Sequence, residues 1–153
     1  MVATRGTFGA ARVLPGFPRL MTLPSVGEPS GSERVRLLIV DDDAGLRTAL
    51  LAIFGAHPRY SAQAATDAAD GLARISTFRP HLVLLDLRRP GADGADLCRA
   101  VKAAPEPLSP RILAMGGPPD DGARQRMLDA GADGFLSKPF TLGQLEAEVA
   151  RLT

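Results

Sequence analysis

Three short runs of this chain are apolar at every position, and they constrain its fold more than any other feature of the sequence. They occupy residues 37–40, 82–85 and 112–115. A strand with one face in water alternates apolar and polar residues, whereas a strand buried on both faces does not. The three runs therefore predict strands of a parallel sheet that is covered by helices on each side.

Apolar residues at helical spacing fill most of the segments between these runs. The predicted strands are 36–40, 60–65, 81–86, 112–115 and 134–137, and the predicted helices are 43–54, 67–78, 95–104, 120–130 and 141–152. A strand followed by a helix, repeated five times, requires crossover connections, which are right-handed almost without exception. The sequence thus predicts an α/β fold with a doubly wound, five-stranded parallel sheet.

Individual residues indicate where these helices begin and end. Asp43 and Thr141 are expected to be N-caps, because their side-chain oxygens can accept hydrogen bonds from the first turn of a helix. Gly131 is expected near the end of the fourth helix, and the segment from Gly55 to Pro58 is expected to break the first. On the second helix, Leu72, Ile75 and Phe78 are predicted to lie on one face.

The composition excludes several kinds of protein. The 153 residues carry 18 basic and 17 acidic side chains, so no large field of one sign is available for nucleic-acid binding. A single cysteine, Cys98, excludes a disulfide scaffold and a cysteine-rich zinc site. No apolar run approaches the roughly 20 residues that cross a bilayer. We therefore expect a cytoplasmic protein that binds neither DNA nor membranes.

The first 33 residues differ from the rest of the chain. Nine of these 33 positions are glycine or proline, which interrupt regular structure. We predict a disordered N-terminal tail over 1–33 and one folded domain over 34–153. Because the chain stops directly after the fifth predicted helix, no output domain is expected to follow.

Charged residues follow three of the predicted strands at their carboxyl ends. Asp41, Asp42 and Asp43 follow the first strand, Asp86 ends the third, and Lys138 follows the fifth. In a parallel sheet these ends meet at one edge. Two carboxylates about 4 Å apart repel by roughly 4 kcal/mol at an effective dielectric near 20. The cluster therefore predicts a bound cation, for which Mg²⁺ suits oxygen ligands best, and Asp42→Asn is expected to stabilise the metal-free protein.

Longer segments around these residues resemble the receiver domain of bacterial two-component response regulators. The resemblance is carried by LIVDDD at 38–43, LVLLDL at 82–87, PGADG at 90–94 and AGADGFLSKPF at 130–140. The spacings agree as well, with 44 residues from Asp42 to Asp86 and 52 from Asp86 to Lys138. The resemblance covers residues 34–153 and implies the flavodoxin-like (βα)5 receiver fold.

The resemblance also implies roles for single residues. Asp86 matches the phosphoacceptor, and Asp41 and Asp42 match the acidic pair that holds Mg²⁺ together with Asp86. The backbone carbonyl of Arg88 matches the remaining protein ligand of the metal. Lys138 matches the lysine that contacts the phosphoryl group.

Two further positions match the part of the family's site that responds to phosphorylation. The Lys138–Pro139 peptide bond is expected to be cis, and Phe135 matches an aromatic residue that changes rotamer on activation. Phe135 is equally well explained as a core residue of the last strand.

The function that the resemblance implies is phosphoryl transfer in a signalling pathway. A sensor histidine kinase or a histidine phosphotransfer protein would donate a phosphoryl group from phosphohistidine to Asp86. The phosphorylated protein would then signal through contacts with a downstream protein target. No enzymatic activity is expected beyond self-phosphorylation from a donor and slow autodephosphorylation.

One position departs from the family pattern. A serine or threonine is expected 30 residues after Asp86 and 22 before Lys138, where this chain has Gly116. Without that hydroxyl, phosphorylation can persist while its coupling to conformational change weakens. The alternative is a degenerate receiver that acts as a phosphorylation-independent interaction module.

A Mg²⁺-dependent phosphohydrolase would need an acid two residues after its nucleophile, where Arg88 stands. Arg88 and the adjacent Arg89 either contact the phosphoryl group or a partner, or are solvated surface residues.

Overall fold

A computed structural model describes residues 33–86, 94–105, 109–117 and 121–153, and residues 33–153 form one compact unit. Its strands are β1 (Val35–Val40), β2 (Tyr60–Ala65), β3 (Leu82–Asp86), β4 (Arg111–Gly116) and β5 (Gly134–Ser137). Its helices are α1 (Ala44–Ala56), α2 (Ala68–Phe78), α3 (Gly94–Lys102), α4 (Asp121–Asp129) and α5 (Leu142–Leu152). None of the helices in these described ranges is long and apolar enough to cross a bilayer. The predicted tail lies outside the described residues except for Glu33.

The five strands form a single parallel sheet in the order β2-β1-β3-β4-β5. Strand order reverses beside β1, because β2 lies on one side of it and β3 on the other. The predicted doubly wound parallel sheet is therefore confirmed. The carboxyl ends of β1 and β3 are neighbours, and in such sheets a site forms where the strand order reverses.

The apolar runs are buried on both faces of the sheet, as predicted. Successive residues of β1 enter two separate cores, with Leu37 and Ile39 in one and Leu38 and Val40 in the other. The first core lies between the sheet and helices α1 and α5, and the second lies between the sheet and helices α2, α3 and α4. Full burial of a leucine or isoleucine side chain contributes about 1.5–3 kcal/mol, so both cores fix the register of the central strands.

The predicted helix caps are confirmed, and α1 ends inside the break that was predicted over residues 55–58. The Asp43 carboxylate accepts a hydrogen bond from the Leu46 N–H at 3.1 Å, and Thr141 forms a capping box with Gln144. Helix α1 continues through Gly55 to Ala56. Glycine costs only about 1 kcal/mol in a helix, and the buried Phe54 beside it holds the last turn against the sheet.

The predicted face of α2 is buried at Ile75 and partly buried at Phe78, but it is not buried at Leu72. Leu72 is 40% exposed, while the adjacent Gly71 is buried. A Cβ atom at Gly71 would lie 3.2 Å from Cγ2 of Val40, so α2 approaches β1 closely at this glycine. The close approach turns Gly71 and Ile75 inward and leaves Leu72 at the rim of the interface.

Substitution of Gly131 by alanine should destabilise the domain. Gly131 has φ +103°, and a Cβ atom there would lie 3.0 Å from Cγ of Lys102. Alanine adopts this backbone conformation poorly, so we expect the free energy of unfolding to fall by about 1–2 kcal/mol in urea titrations. Gly55→Ala is the matched control, because a Cβ atom there meets nothing within 4 Å and should raise stability by up to about 1 kcal/mol. Equal effects of the two substitutions would contradict this account.

Candidate acidic phosphoacceptor site

The carboxyl edge of the sheet brings together Asp41, Asp86 and Lys138. The Nζ atom of Lys138 lies 3.1 Å from Oδ1 of Asp86 and 3.9 Å from Oδ2 of Asp41. The side chains of Asp41 and Asp86 are 0% and 2% exposed, and that of Lys138 is 15% exposed. Three residues that are far apart in the sequence thus form one buried ionic cluster, as their positions at the ends of parallel strands predicted.

Asp42 adds a third carboxylate to this cluster. One oxygen atom each of Asp41, Asp42 and Asp86 lies within 4.8 Å of the other two. Asp42 is exposed, whereas Asp41 and the Asp86 side chain are buried. The carboxylate of Asp43 caps α1 instead.

The Asp41 carboxyl group is the most perturbed member of the cluster. Its burial raises its pKa to about 6, an effect that the hydrogen bond from the Asp43 N–H opposes and the neighbouring Asp86 charge reinforces. Lys138 lowers the pKa of Asp41, but by less than burial raises it. The charge of the Lys138 ammonium group therefore does not offset the effect of burial on the Asp41 carboxyl group.

These residues fit a hard divalent cation. Every candidate ligand atom is a carboxylate oxygen, which is the ligand type that Mg²⁺ prefers. Among the described residues, Oδ2 of Asp41 is buried and has no hydrogen-bond donor. A buried acceptor without a donor is costly unless a cation contacts it. Asp41, Asp42 and Asp86 could therefore hold a metal ion.

Gly116 ends β4 in the buried part of the site, next to β5. It pairs in register with Ser137, and its carbonyl oxygen accepts a hydrogen bond from the Lys138 N–H at 2.6 Å. The main chain of β4 therefore helps to position the lysine, although no hydroxyl is available at this position.

The other predicted site residues have mixed outcomes. The Lys138–Pro139 peptide bond is cis, as predicted. Phe135 is half-buried and packs against the core shared with helices α2, α3 and α4. Its predicted rotamer change stays a prediction. Arg88 and Arg89 lie outside the described residues, and so does the predicted carbonyl ligand of the metal.

Sequence analysis missed Arg47. Its Nη1 atom donates a hydrogen bond to the carbonyl oxygen of Asp41 at 2.8 Å. Arg47 is the only charged residue of α1, and it lies close to the helix N-terminus, where the helix dipole disfavours a cation. The sequence feature that could have identified Arg47 was its positive charge near the N-terminus of an otherwise uncharged helix.

The pKa of Asp41 predicts how the stability of the metal-free protein depends on pH. A carboxyl group with a pKa of about 6 in the folded state and 3.8 in the unfolded state binds its proton more tightly when folded. The free energy of unfolding should therefore fall as pH rises from about 4 to about 6, by at most about 3 kcal/mol, and should not recover above pH 6.

Urea titrations in EDTA across this pH range measure the effect. Asp41→Asn should remove this fall and should exceed the wild type in stability at pH 7. Asp42→Asn is the control: because solvent screens the exposed Asp42 carboxylate, the stabilisation predicted for this substitution should be smaller than that of Asp41→Asn. A wild type and an Asp41→Asn variant with the same pH dependence would contradict the assignment of the crowded charge to Asp41.

Comparison with known proteins places this site in a family. The family model of the response regulator receiver domain matches residues 37–150. A curated relative, the response regulator MprA of Mycobacterium sp. (strain KMS), is 36% identical over 118 residues, which are 77% of this chain and 50% of the relative. The chain thus spans about half the length of the curated relatives that it matches.

Solved structures share the fold. A CheY-like response regulator receiver domain protein from Methanospirillum hungatei JF-1 superposes with a TM-score of 0.70 at 25% identity, covering 78% of this chain and 93% of that one. The Vibrio cholerae chemotaxis protein CheY4 superposes with a TM-score of 0.72 at 23% identity, covering 79% and 100%. With its matching family model, its fold and its acidic cluster, the chain belongs to the response regulator receiver domains of two-component signalling.

Proposed function

We propose that Asp86 accepts a phosphoryl group from phosphohistidine, with Mg²⁺ bound by Asp41, Asp42 and Asp86. The donor is a sensor histidine kinase or a histidine phosphotransfer protein. The observation that carries this proposal is the buried Asp86 carboxylate, which lies 3.1 Å from the ammonium group of Lys138 and within 4.8 Å of carboxylate oxygens of Asp41 and Asp42.

The proposed chemistry assigns one task to each side chain. An oxygen of the Asp86 carboxylate attacks phosphorus, so that an O–P bond forms while the P–N bond of the donor breaks and the imidazole leaves. The Lys138 ammonium group pairs with an oxygen of the transferred phosphoryl group. The bound metal ion would supply further neutralisation of the negative charge on the phosphoryl oxygens.

Burial of Asp86 also favours attack on phosphorus. A carboxylate in water must shed its hydration shell before it attacks, and the Asp86 side chain is already 98% excluded from solvent. The resulting acyl phosphate is hydrolysed slowly by water, which can enter beside the exposed Asp42. We propose no enzymatic activity beyond self-phosphorylation and this slow autodephosphorylation, and we propose a cytoplasmic location.

The surface around the pocket suits a protein donor. Helix α1 begins beside the pocket, and its outward positions Ala44, Thr48 and Ala52 are small and uncharged. Pro139 and Leu142, which follow Lys138, are exposed, and Leu142 is 45% exposed. Small uncharged side chains and exposed apolar residues beside a buried acceptor leave room for a protein that presents its phosphohistidine to Asp86.

The signal is proposed to pass to a downstream protein target through direct contact, without DNA binding by the domain described here. Action without an attached output domain stays a prediction, because the curated relatives are about twice as long as the matched region.

One observation favours a second function. Gly116 leaves β4 without a hydroxyl beside the pocket. A degenerate receiver would keep the fold and the contacts of a receiver while carrying no phosphate. The complete set of Asp41, Asp42, Asp86 and Lys138 opposes this alternative, since a module that is never phosphorylated has no need to bury mutually repelling carboxylates.

Phosphorylation by a small donor separates the two functions. After incubation with acetyl phosphate and Mg²⁺, the intact mass should increase by one phosphoryl group in the wild type but not in Asp86→Asn. Asp96→Asn is a matched control, because Asp96 is an exposed carboxylate on α3 that pairs with Arg99. Its adduct should equal that of the wild type. A wild type without any adduct would favour the degenerate receiver.

The coupling of phosphorylation to Phe135 should depend on a hydroxyl at position 116. We expect Gly116→Ser or Gly116→Thr to enlarge the change in the Phe135 aromatic NMR signals on phosphorylation, because the added hydroxyl can donate to a phosphoryl oxygen. Gly116→Ala, which adds bulk without a hydroxyl, is the control. If the wild type already shows the full change and none of the variants alters it, the missing hydroxyl has no consequence.

A further inference from the structure

Arg47 occupies a position that helix stability does not explain. It lies four residues after the N-cap Asp43, where the positive end of the helix dipole disfavours a cation. Although three aspartates precede α1, Arg47 forms no ion pair with any carboxylate of the described residues. Its guanidinium group is directed instead at a main-chain carbonyl, that of Asp41.

This hydrogen bond completes the fixation of Asp41. The Asp41 carbonyl oxygen accepts from Nη1 of Arg47 at 2.8 Å, its N–H donates to the carbonyl of Ala65 at 3.3 Å, and its Oδ1 accepts from the Asp43 N–H at 2.8 Å. Only Oδ2 is left without a hydrogen bond, and it points toward Lys138. One carboxylate oxygen is thereby presented to the pocket in a fixed orientation.

The same hydrogen bond also acts on Asp42. The carbonyl of Asp41 and the N–H of Asp42 belong to one planar peptide unit, so a donor that holds the carbonyl holds the whole unit. Asp42 is exposed, and its N–H belongs to the peptide unit that Arg47 holds. Arg47 is thus placed to fix the main chain from which both neighbouring carboxylates extend.

We propose that Arg47 is a positioning residue for a divalent cation, holding the Asp41–Asp42 peptide so that both carboxylates face the same ion. The proposal rests on the proposed function in taking Mg²⁺ as that ion.

Two effects of Arg47 on the affinity for Mg²⁺ have opposite signs. Its positive charge repels a cation, so charge alone predicts tighter Mg²⁺ binding when Arg47 is removed. Positioning predicts weaker binding.

Titration calorimetry with Mg²⁺ alone decides between these signs. Arg47→Met removes both charge and donor, and we expect it to weaken Mg²⁺ binding about tenfold, as loss of an outer-shell partner typically does. Arg47→Lys keeps a charged donor and should bind within about threefold of the wild type. Arg74→Met is the matched control, because Arg74 contacts Asp70 and Gln63 on the neighbouring elements α2 and β2, and its removal should leave the affinity unchanged.

The Asp42 amide gives a readout that does not depend on metal. In the metal-free protein, its ¹H–¹⁵N NMR signal should shift in Arg47→Met and return toward the wild-type position in Arg47→Lys, because the hydrogen bond to the Asp41 carbonyl polarises that peptide. If Arg47→Met does not fold, Arg47→Gln, whose neutral amide is too short to reach the carbonyl, takes its place with the same expected losses.

Each outcome has one meaning. Unchanged or tighter Mg²⁺ binding by the neutral variant overturns the positioning role while leaving phosphorylation of Asp86 intact. A wild type that binds no Mg²⁺ overturns both the positioning role and the metal part of the proposed function. Phosphorylation by acetyl phosphate is measured separately, so the two failures are distinguishable.

Discussion

Burial of the Asp41 and Asp86 side chains beside Lys138 is the constraint on which the rest of the structure depends. Moving a carboxylate out of water costs several kcal/mol even when a cation is near, and here two are moved for one ammonium group. Apolar packing beneath the site must offset this cost. The central strands supply it, since β1 and β3 are buried along almost their full length and β4 along its last five residues.

The same packing determines where the charges emerge. Alternate residues of β1 and β3 enter the two cores on opposite faces of the sheet, so a shift of one residue would exchange the two sets. The register Val40↔Leu85 places Asp41 next to Asp86. The site is therefore a consequence of the register, and the register is a consequence of apolar residues that lie below the site.

Much of the fold and of the site is predictable from the sequence because the apolar runs and the charged residues that follow them indicate the same parallel sheet. Uninterrupted apolar runs indicated strands buried on both faces, and the aspartates after them indicated a common edge. The failures have a different origin. Leu72 is exposed despite its helical spacing from Ile75, because the close approach of Gly71 to Val40 turns a different part of α2 toward the sheet. Arg47 was missed because its partner is a backbone atom, so the sequence indicates it only through its charge near the start of an otherwise uncharged helix.

The site is built asymmetrically around Asp86. On the β1 side, Asp41 is held through its N–H, its carbonyl and one carboxylate oxygen. On the β4 side, Gly116 offers only main-chain groups, and its carbonyl is already used by Lys138. A preorganised acidic half favours binding of a cation and reaction at Asp86, since these need fixed oxygen atoms. A bound group shifts the equilibrium between two conformations only if it contacts them differently. A conformational response on the β4 side therefore needs a side chain there that gains a contact with the phosphoryl group. Gly116 supplies no such side chain, so under the proposed function a phosphoryl group on Asp86 would find no hydroxyl on β4 through which to change the conformation of that side.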